Sequence, residues 1–207
     1  MSPEDVLHNV SRESIEKLKV YQRLLVKWQK AINLVSPKTI DDAWERHFLD
    51  SAQISRLVGP HIKTVADIGS GGGFPGLVLA ILRPELEMHL IESDQRKCQF
   101  LRAVSRETDA KISVRSTRIE DLEDDFTPDC VTARALADLP KLLSFCEPWV
   151  QRNPKLEAVL MKGAKTEQEV AAAHEIYDFQ CDIHDSLTDP QGRLLYIHTL
   201  SPKLHTA

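Results

Sequence analysis

Short apolar runs alternate with longer amphipathic stretches from about residue 61 onwards. Short apolar runs predict buried strands, whereas apolar residues at every third or fourth position predict helices packed on them. The predicted strands span 64–68, 87–92, 111–115, 129–133, 157–161, 179–184 and 193–199. The predicted helices between them span 75–82, 94–107, 138–150 and 165–176. This alternation is typical of an α/β domain with a mainly parallel sheet.

The last two predicted strands are joined differently from the others. Only the turn Asp189-Pro-Gln-Gly192 separates them, and a connection this short pairs strands as an antiparallel hairpin. The sequence therefore predicts a Rossmann-like, doubly wound sheet of seven strands with an antiparallel last strand.

Residues 1–60 carry helical patterns and form a predicted N-terminal helical extension, followed by a domain spanning 61–207. Ser2-Pro3 is a typical helix start. A second helix, over 12–32, carries an apolar stripe, and a third begins at Thr39-x-x-Asp42. The stripe consists of Ile15, Leu18, Leu25, Trp28 and Ile32, and the inner side of the third helix consists of Trp44, Phe48, Leu49 and Ile54.

Composition limits the possible locations and partners. Hydrophobic residues make up 42% and charged residues 28%, with no bilayer-length apolar run and no leader-like start, so we expect a cytoplasmic monomer without a membrane partner. The four cysteines contain no C-x-x-C pair, so no metal site is expected. The net charge is −5, and DNA is not an expected partner, but residues 11–38 hold seven Lys/Arg against two Glu. The extension is therefore basic.

A glycine-rich turn follows the first predicted strand. Residues 65–76 read Val-Ala-Asp-Ile-Gly-Ser-Gly-Gly-Gly-Phe-Pro-Gly and hold five of the eight glycines, which allow backbone N–H groups to approach a ligand closely. A dinucleotide fingerprint needs a small sixth residue, but Phe74 occupies that position, which argues against NAD. The pattern Asp67-x-Gly69-x-Gly71-x-Gly73 instead resembles the first motif of S-adenosylmethionine-dependent methyltransferases. In that motif Asp67 would meet the cofactor's amino group.

Two further features complete the predicted cofactor site. Such sites place an acid about 20 residues further on to accept hydrogen bonds from ribose hydroxyls, and Glu92 closes the second predicted strand there. The loops after the third and fourth strands lie at the same edge of the sheet, and they contain Ile119-Glu120 and Arg134. We expect Ile119 and Glu120 to clasp the adenine edge.

Several short motifs are more specific than the fold. They are Asn33-Leu34, Arg46-His47-Phe-Leu-Asp50-Ser51, the glycine turn through Gly76, Arg96-Lys97, Arg118-Ile119-Glu120, Ala133-Arg134-Ala135 and Met161-Lys162-Gly163. From about residue 20 to the C-terminus they resemble the RsmG family, also called glucose-inhibited division protein B. Members of that family are bacterial methyltransferases that modify N7 of a guanine in 16S ribosomal RNA. The family's usual Ser before Arg134 is Ala133 here, so a role for that hydroxyl is not carried over.

The resemblance implies S-adenosylmethionine as cofactor, the small ribosomal subunit as partner and guanine 527 as target. It also implies cofactor contacts from Gly69, Phe74, Ile119, Glu120 and Arg134. Because guanine N7 carries no proton, no general base is expected. Arg134 is a positioning residue that reads the guanine edge or holds the cofactor carboxylate, and both roles stay open.

Five basic residues are candidates for RNA phosphate contacts: Arg46, His47, Arg96, Lys97 and Lys162. For His47, packing within a helix is an equally good interpretation. Two other functions fit the same cofactor motif. The first is a methyltransferase that acts on a small molecule or protein. The second is an RNA- or ribosome-binding assembly factor without turnover.

Overall fold

The computed structural model describes residues 10–122 and 126–203, and the predicted helix start at Ser2-Pro3 lies outside these ranges. Within them the strands form a seven-stranded sheet in the order β3-β2-β1-β4-β5-β7-β6. The strands are β1 (Thr64–Ile68), β2 (Glu87–Ile91), β3 (Ile112–Arg115), β4 (Cys130–Arg134), β5 (Glu157–Lys162), β6 (Tyr177–Asp185) and β7 (Arg193–Pro202). All seven predicted strands are confirmed, with ends shifted by a few residues.

Pairing within the sheet follows the predicted pattern. β1 lies between β2 and β4, and the pairs from β3 to β5 are all parallel. β7 runs antiparallel to both of its neighbours, β5 and β6. The predicted reversed last strand and hairpin are therefore confirmed. Strand order reverses at β1, so the carboxyl ends of β1 and β4 flank the topological switch point where doubly wound folds bind ligands.

Helices cover both faces of the sheet. They are α1 (Arg12–Gln29), α2 (Asp50–Ala52), α3 (Gly76–Leu82), α4 (Gln95–Thr108), α5 (Leu139–Arg152) and α6 (Thr166–His174). On one face Leu18 and Tyr21 of α1 pack in one apolar cluster with Leu77 of α3 and Phe100 of α4. A second cluster joins α5 and α6 to the other face. The helical extension thus shares a core with the sheet, and the boundary at residue 60 stays a prediction.

The segment after α1 differs from the predicted third helix. Instead of one α-helix it contains a 3-10 turn (Pro37–Thr39), a π-helix (Trp44–Leu49), the short α2 and a second 3-10 turn (Gln53–Arg56). A π-helix has one more residue between hydrogen-bonded groups than an α-helix and often occurs at functional sites. Tertiary contacts accompany it, since Phe48 packs edge-on against Phe74 with ring centroids 5.1 Å apart. Hydrophobic spacing did not reveal this change of helix type.

No helix within 10–122 and 126–203 is long and apolar enough to cross a bilayer.

Candidate cofactor and substrate site

A cleft of about 960 Å³ opens at the carboxyl ends of the central strands. The segments that follow β1, β2, β3, β4 and β5 all contribute to its wall, together with the π-helix and the turn between β6 and β7. Predicted site residues in the wall are Gly69, Gly71, Phe74, Glu92, Ile119, Glu120, Arg134, Arg46, His47, Lys97 and Lys162. Asp67, Gly73 and Arg96 are the predicted residues outside it. The tertiary structure therefore brings most of them into one site.

The glycine loop owes its shape to left-handed backbone conformations. Gly69, Gly71 and Gly73 have φ values of 65°, 54° and 89°, a region that side chains with a Cβ rarely adopt. Space is also limiting, because a Cβ on Gly73 would lie 2.5 Å from the Tyr21 hydroxyl oxygen and 2.6 Å from Leu77 Cδ1. The glycine pattern in the sequence thus reflects both backbone conformation and close packing.

Glu92 ties this loop to the start of α4. One carboxylate oxygen accepts a hydrogen bond from the Gly71 N–H at 2.8 Å, and the other accepts one from the Asp94 N–H at 2.8 Å. Asp94 in turn caps α4 by accepting from the Arg96 N–H at 2.8 Å. A carboxylate has about four acceptor positions, so Glu92 keeps capacity for ligand hydroxyls in the wall of the cleft.

Asp67 lies beneath the loop and is fully buried. Its Oδ1 accepts a hydrogen bond from the Thr132 hydroxyl at 2.8 Å, which joins β1 to β4. Burial raises the pKa of Asp67 to about 6, although hydrogen bonds from Ser70 and Thr132 oppose the change. The predicted contact with the cofactor's amino group stays a prediction. The structure places this acid directly under the loop and not in the cleft wall.

Tyr21 supports the loop from the side of the helical extension, and the sequence interpretation did not include it. Its hydroxyl donates a hydrogen bond to the Gly72 carbonyl, and its ring stacks on Phe74 with centroids 5.2 Å apart. Position 21 falls on the apolar stripe of α1 between Leu18 and Leu25, and this spacing could have predicted that Tyr21 is buried. Phe74 is only 4% exposed, so most of its ring packs in the core.

Arg134 ends β4, the strand next to β1, and its side chain lines the cleft beside the glycine loop. Its Nη1 donates to Asp50 Oδ2 at 3.4 Å and to the Arg46 carbonyl at 3.3 Å, and its guanidinium lies 4.9 Å from the Phe74 ring centre. Burial lowers the pKa of Arg134, and the Asp50 charge opposes that shift. The next residue, Ala135, has a φ of 51°, an uncommon conformation for a residue with a side chain. Both predicted roles of Arg134 are sterically open, because it lines the cleft.

The five predicted RNA contacts fall into two groups. Arg46 is exposed at the cleft and forms an ion pair with Asp189 at 3.4 Å, while Lys97 lines the cleft and Arg96 is exposed beside it at the start of α4. These three cations are accessible to a phosphate.

The other two candidates have partners inside the protein. Lys162 contacts Glu169 Oε2 at 2.5 Å and donates to the Ala137 carbonyl at 2.6 Å, and its side chain is 8% exposed. The His47 ring bonds to the Thr39 hydroxyl at 2.7 Å, and burial lowers its pKa to about 3, helped by Arg134 and Arg46. These placements favour structural roles for both side chains over phosphate contact.

Other chemistries find little support in the described part of the chain. Cys130 lies at the amino end of β4, away from the cleft, and burial raises the pKa of its thiol. It is therefore not placed to act as a thiolate nucleophile. Within the described ranges, no group of three His, Cys, Asp or Glu side chains is placed to hold a metal ion.

Comparisons with known proteins agree with this geometry. The sequence profile of the GidB family, described as rRNA small subunit methyltransferase G, matches residues 14–193. The Ribosomal RNA small subunit methyltransferase G of Paramagnetospirillum magneticum is 43% identical over 203 residues, which is 97% of this chain and 97% of that protein. The protein of the same name from Parvibaculum lavamentivorans is 44% identical over 94% of this chain and 87% of its own length.

A solved structure extends the comparison to the fold. The O-methyltransferase from Bacillus cereus, in complex with S-adenosylhomocysteine, superposes with a TM-score of 0.57 over 94% of each chain. Its sequence identity is 13%, so this similarity concerns the fold alone.

Proposed function

Because the chain belongs to the family of rRNA small subunit methyltransferase G, we propose that it transfers a methyl group from S-adenosylmethionine to 16S ribosomal RNA. One observation carries the proposal. The glycine loop and Arg134 open into the same cleft from the carboxyl ends of β1 and β4, so a cofactor on the loop presents its reactive centre towards Arg134.

The cofactor follows the loop across the switch point. Gly69 and Gly71 offer backbone without a Cβ beside the methionine and ribose groups, and Glu92 accepts hydrogen bonds from the ribose hydroxyls. Ile119 and Glu120 form a 3-10 turn in the wall after β3 and flank the adenine. S-adenosylmethionine supplies an electrophilic sulfonium methyl group. The protein's own contribution is to bind and orient.

For the acceptor we propose N7 of a guanine, at nucleotide 527 as in the family resemblance. The N7 lone pair attacks the methyl carbon in line while the carbon–sulfur bond breaks, and no proton has to leave. No general base is therefore required. Alignment of two bound reactants can supply roughly 7–11 kcal/mol of the barrier reduction. Arg134 serves this alignment by holding the guanine edge or the cofactor carboxylate.

The RNA approaches over exposed cations on one side of the cleft. Arg46 and Lys97 line the opening, and Arg96 lies beside them on α4. The exposed Arg23 and Lys27 on α1 and Lys30 directly after it extend the positive charge of the helical extension. Phosphate contacts of this kind position a nucleic acid without reading its sequence. We propose that a monomer binds the small ribosomal subunit in the cytoplasm.

The proposal is tested by transfer of labelled methyl from S-adenosylmethionine to small subunits that lack the modification, with free 16S rRNA measured in parallel and the modified base mapped. We expect incorporation at one guanine N7. Absence of incorporation, with cofactor binding established by calorimetry, would contradict the enzyme and favour an assembly factor. Incorporation only into a protein or a small molecule would contradict the substrate.

Charge reversal tests whether α1 carries part of an RNA-binding surface. K27E/K30E should weaken subunit binding and reduce the steepness of its salt dependence, because each lost phosphate contact lowers the log–log slope by roughly 0.7–0.9. The matched control is K111E/K155E, which changes the net charge equally. Both of these exposed lysines precede a strand, β3 or β5, and so lie at the amino ends of the strands, away from the cleft. Equal effects of the two double variants would argue against a local RNA surface on α1.

A further inference from the structure

Asp50 joins three segments of the chain at the edge of the cleft. It begins α2 directly after the π-helix, and its side chain is 17% exposed. Its Oδ1 accepts hydrogen bonds from Thr188 Oγ1 at 2.8 Å, Gln53 Nε2 at 2.9 Å and Ser186 Oγ at 3.3 Å. Ser186 and Thr188 belong to the turn between β6 and β7, so one carboxylate oxygen anchors the helical extension to the last hairpin.

The second oxygen, Oδ2, faces Arg134 Nη1 at 3.4 Å. The guanidinium is as enclosed as its partner, with 17% of the side chain exposed. Among the described residues, this is the acid that forms an ion pair with Arg134. A buried cation without a partner is unfavourable, so Asp50 largely determines where this guanidinium rests.

The length of this contact bears on function. Charge-assisted hydrogen bonds of this type are usually about 2.7–2.9 Å long, and a bidentate pair locks an arginine in place. Here one Nη1 serves both Asp50 and the Arg46 carbonyl at more than 3.2 Å, while the Phe74 ring supports the guanidinium from its face. The guanidinium is thus oriented at the cleft but not saturated.

We propose that Asp50 is a positioning residue for methyl transfer, which acts by holding Arg134 in the orientation that a bound ligand requires. The proposal rests on the proposed function and adds a residue to it. Because Oδ1 is held by the β6–β7 turn, the position of Arg134 is set jointly by the helical extension and by the last hairpin. Neither segment contains the cofactor motif.

D50N tests this with little change in shape. Its amide oxygen can replace Oδ1 and keep the hydrogen bonds from Thr188 and Gln53. Its amide nitrogen would then face Arg134, and because both groups are hydrogen-bond donors, no hydrogen bond can form between them. Single-turnover transfer to small subunits, at saturating S-adenosylmethionine and at a temperature where each variant is folded by circular dichroism, should fall about tenfold or more. D50E keeps the charge and should be clearly faster than D50N.

A double-mutant cycle shows whether the effect passes through Arg134. If it does, D50N/R134K should transfer no more slowly than the slower single variant within about twofold, since coupled residues are not additive. The matched control is D129N, because Asp129 also joins distant segments but precedes β4 at the end away from the cleft, where it accepts hydrogen bonds from the backbone N–H groups of Lys63 at 2.8 Å and Thr64 at 2.9 Å. D129N should transfer at the wild-type rate.

The outcomes separate this proposal from the proposed function. Wild-type protein that transfers no methyl would contradict the enzyme itself. If the wild type is active, three results would each overturn the role of Asp50 without contradicting the enzyme. They are a D50N transfer rate equal to that of wild type, additive effects in the double-mutant cycle, and a D50E rate no higher than that of D50N.

Discussion

The two sides of the cleft are built by different means. The glycine wall, formed by Gly69–Phe74 and Glu92, depends on backbone conformation, hydrogen bonds from backbone N–H groups to Glu92 and aromatic packing. The charged wall, formed by Arg46, Arg134 and Lys162, depends on ion pairs with acids elsewhere in the chain. The shape of the glycine wall follows mainly from backbone conformations within one short segment, with Tyr21 of α1 as an added support. In the charged wall, the ion pairs of Arg46 and Arg134 join distant segments, whereas that of Lys162 is local.

Sequence separation makes this contrast concrete. Glu92 reaches the glycine loop across 21 residues, the spacing of one strand-helix-strand unit. Arg134 and Asp50 are 84 residues apart, and Arg46 and Asp189 are 143 residues apart. A single substitution should therefore disturb the two walls in different ways: strain in the glycine wall, and an unpaired charge in the charged wall.

The largest effect is expected from G73A in the glycine wall. The φ of 89° is strained for alanine, and the added Cβ would meet the Tyr21 hydroxyl at 2.5 Å, so we expect a loss of about 2–4 kcal/mol in the free energy of unfolding. Cofactor affinity should fall at least about tenfold, as measured by calorimetry. The control is G163A, whose Cβ meets nothing within 4 Å and should change stability by less than about 0.5 kcal/mol. Equal stability of the two variants would show that the loop relaxes around a side chain.

K162M breaks the charged wall and is expected to have a smaller effect. It leaves Glu169 without its cation, but Glu169 is 21% exposed, so we expect a loss of about 1–3 kcal/mol, below the roughly 3–5 kcal/mol of a fully buried pair. Urea unfolding measures it, with K155M at an exposed lysine as control. The salt dependence of subunit binding should stay unchanged. A log–log slope reduced by about 0.7 or more would instead support the predicted phosphate contact.

The pH dependence of stability should show a gradual effect, smaller for each pH unit than the losses above, at His47, which lies where the walls meet. Its pKa falls from 6.5 unfolded to about 3 folded, so its contribution is complete above pH 6.5 and is lost as the pH falls towards 3. The slope is at most about 1.4 kcal/mol per pH unit. H47Q should remove this loss, whereas H61Q, at an exposed imidazole, is the control.

Asp67 acts in the opposite direction over part of the same range. Its pKa rises from 3.8 to about 6, so the folded state keeps the proton and stability declines as the pH rises from about 4 to 6. In a D67N background the loss caused by His47 should therefore appear steeper between these values. Urea unfolding from pH 4 to 7 measures both, and parallel curves for wild type and D67N would contradict the assignment to Asp67.

Much of the molecule was predictable from sequence because its determinants are local. Alternating apolar runs located every strand of the described sheet, and the short turn before β7 indicated the reversed strand. The glycines and Glu92 were recognisable because a left-handed turn needs residues without a Cβ and because strand-helix-strand units have a nearly constant length. These features carry the cofactor site and the fold.

The tertiary structure decided the rest, because those features depend on contacts between distant segments. The π-helix replaced the predicted third α-helix, and Tyr21 became a support of the glycine loop only when α1 packed beside it. Sequence likewise does not show which lysines form ion pairs inside the protein, as Lys162 does with Glu169. The sequence by itself determined the sheet and the cofactor loop through short-range periodicity and backbone conformation. Only the tertiary structure decided which charges face the cleft, because an ion pair requires two side chains to meet in space and produces no repeating pattern in the sequence.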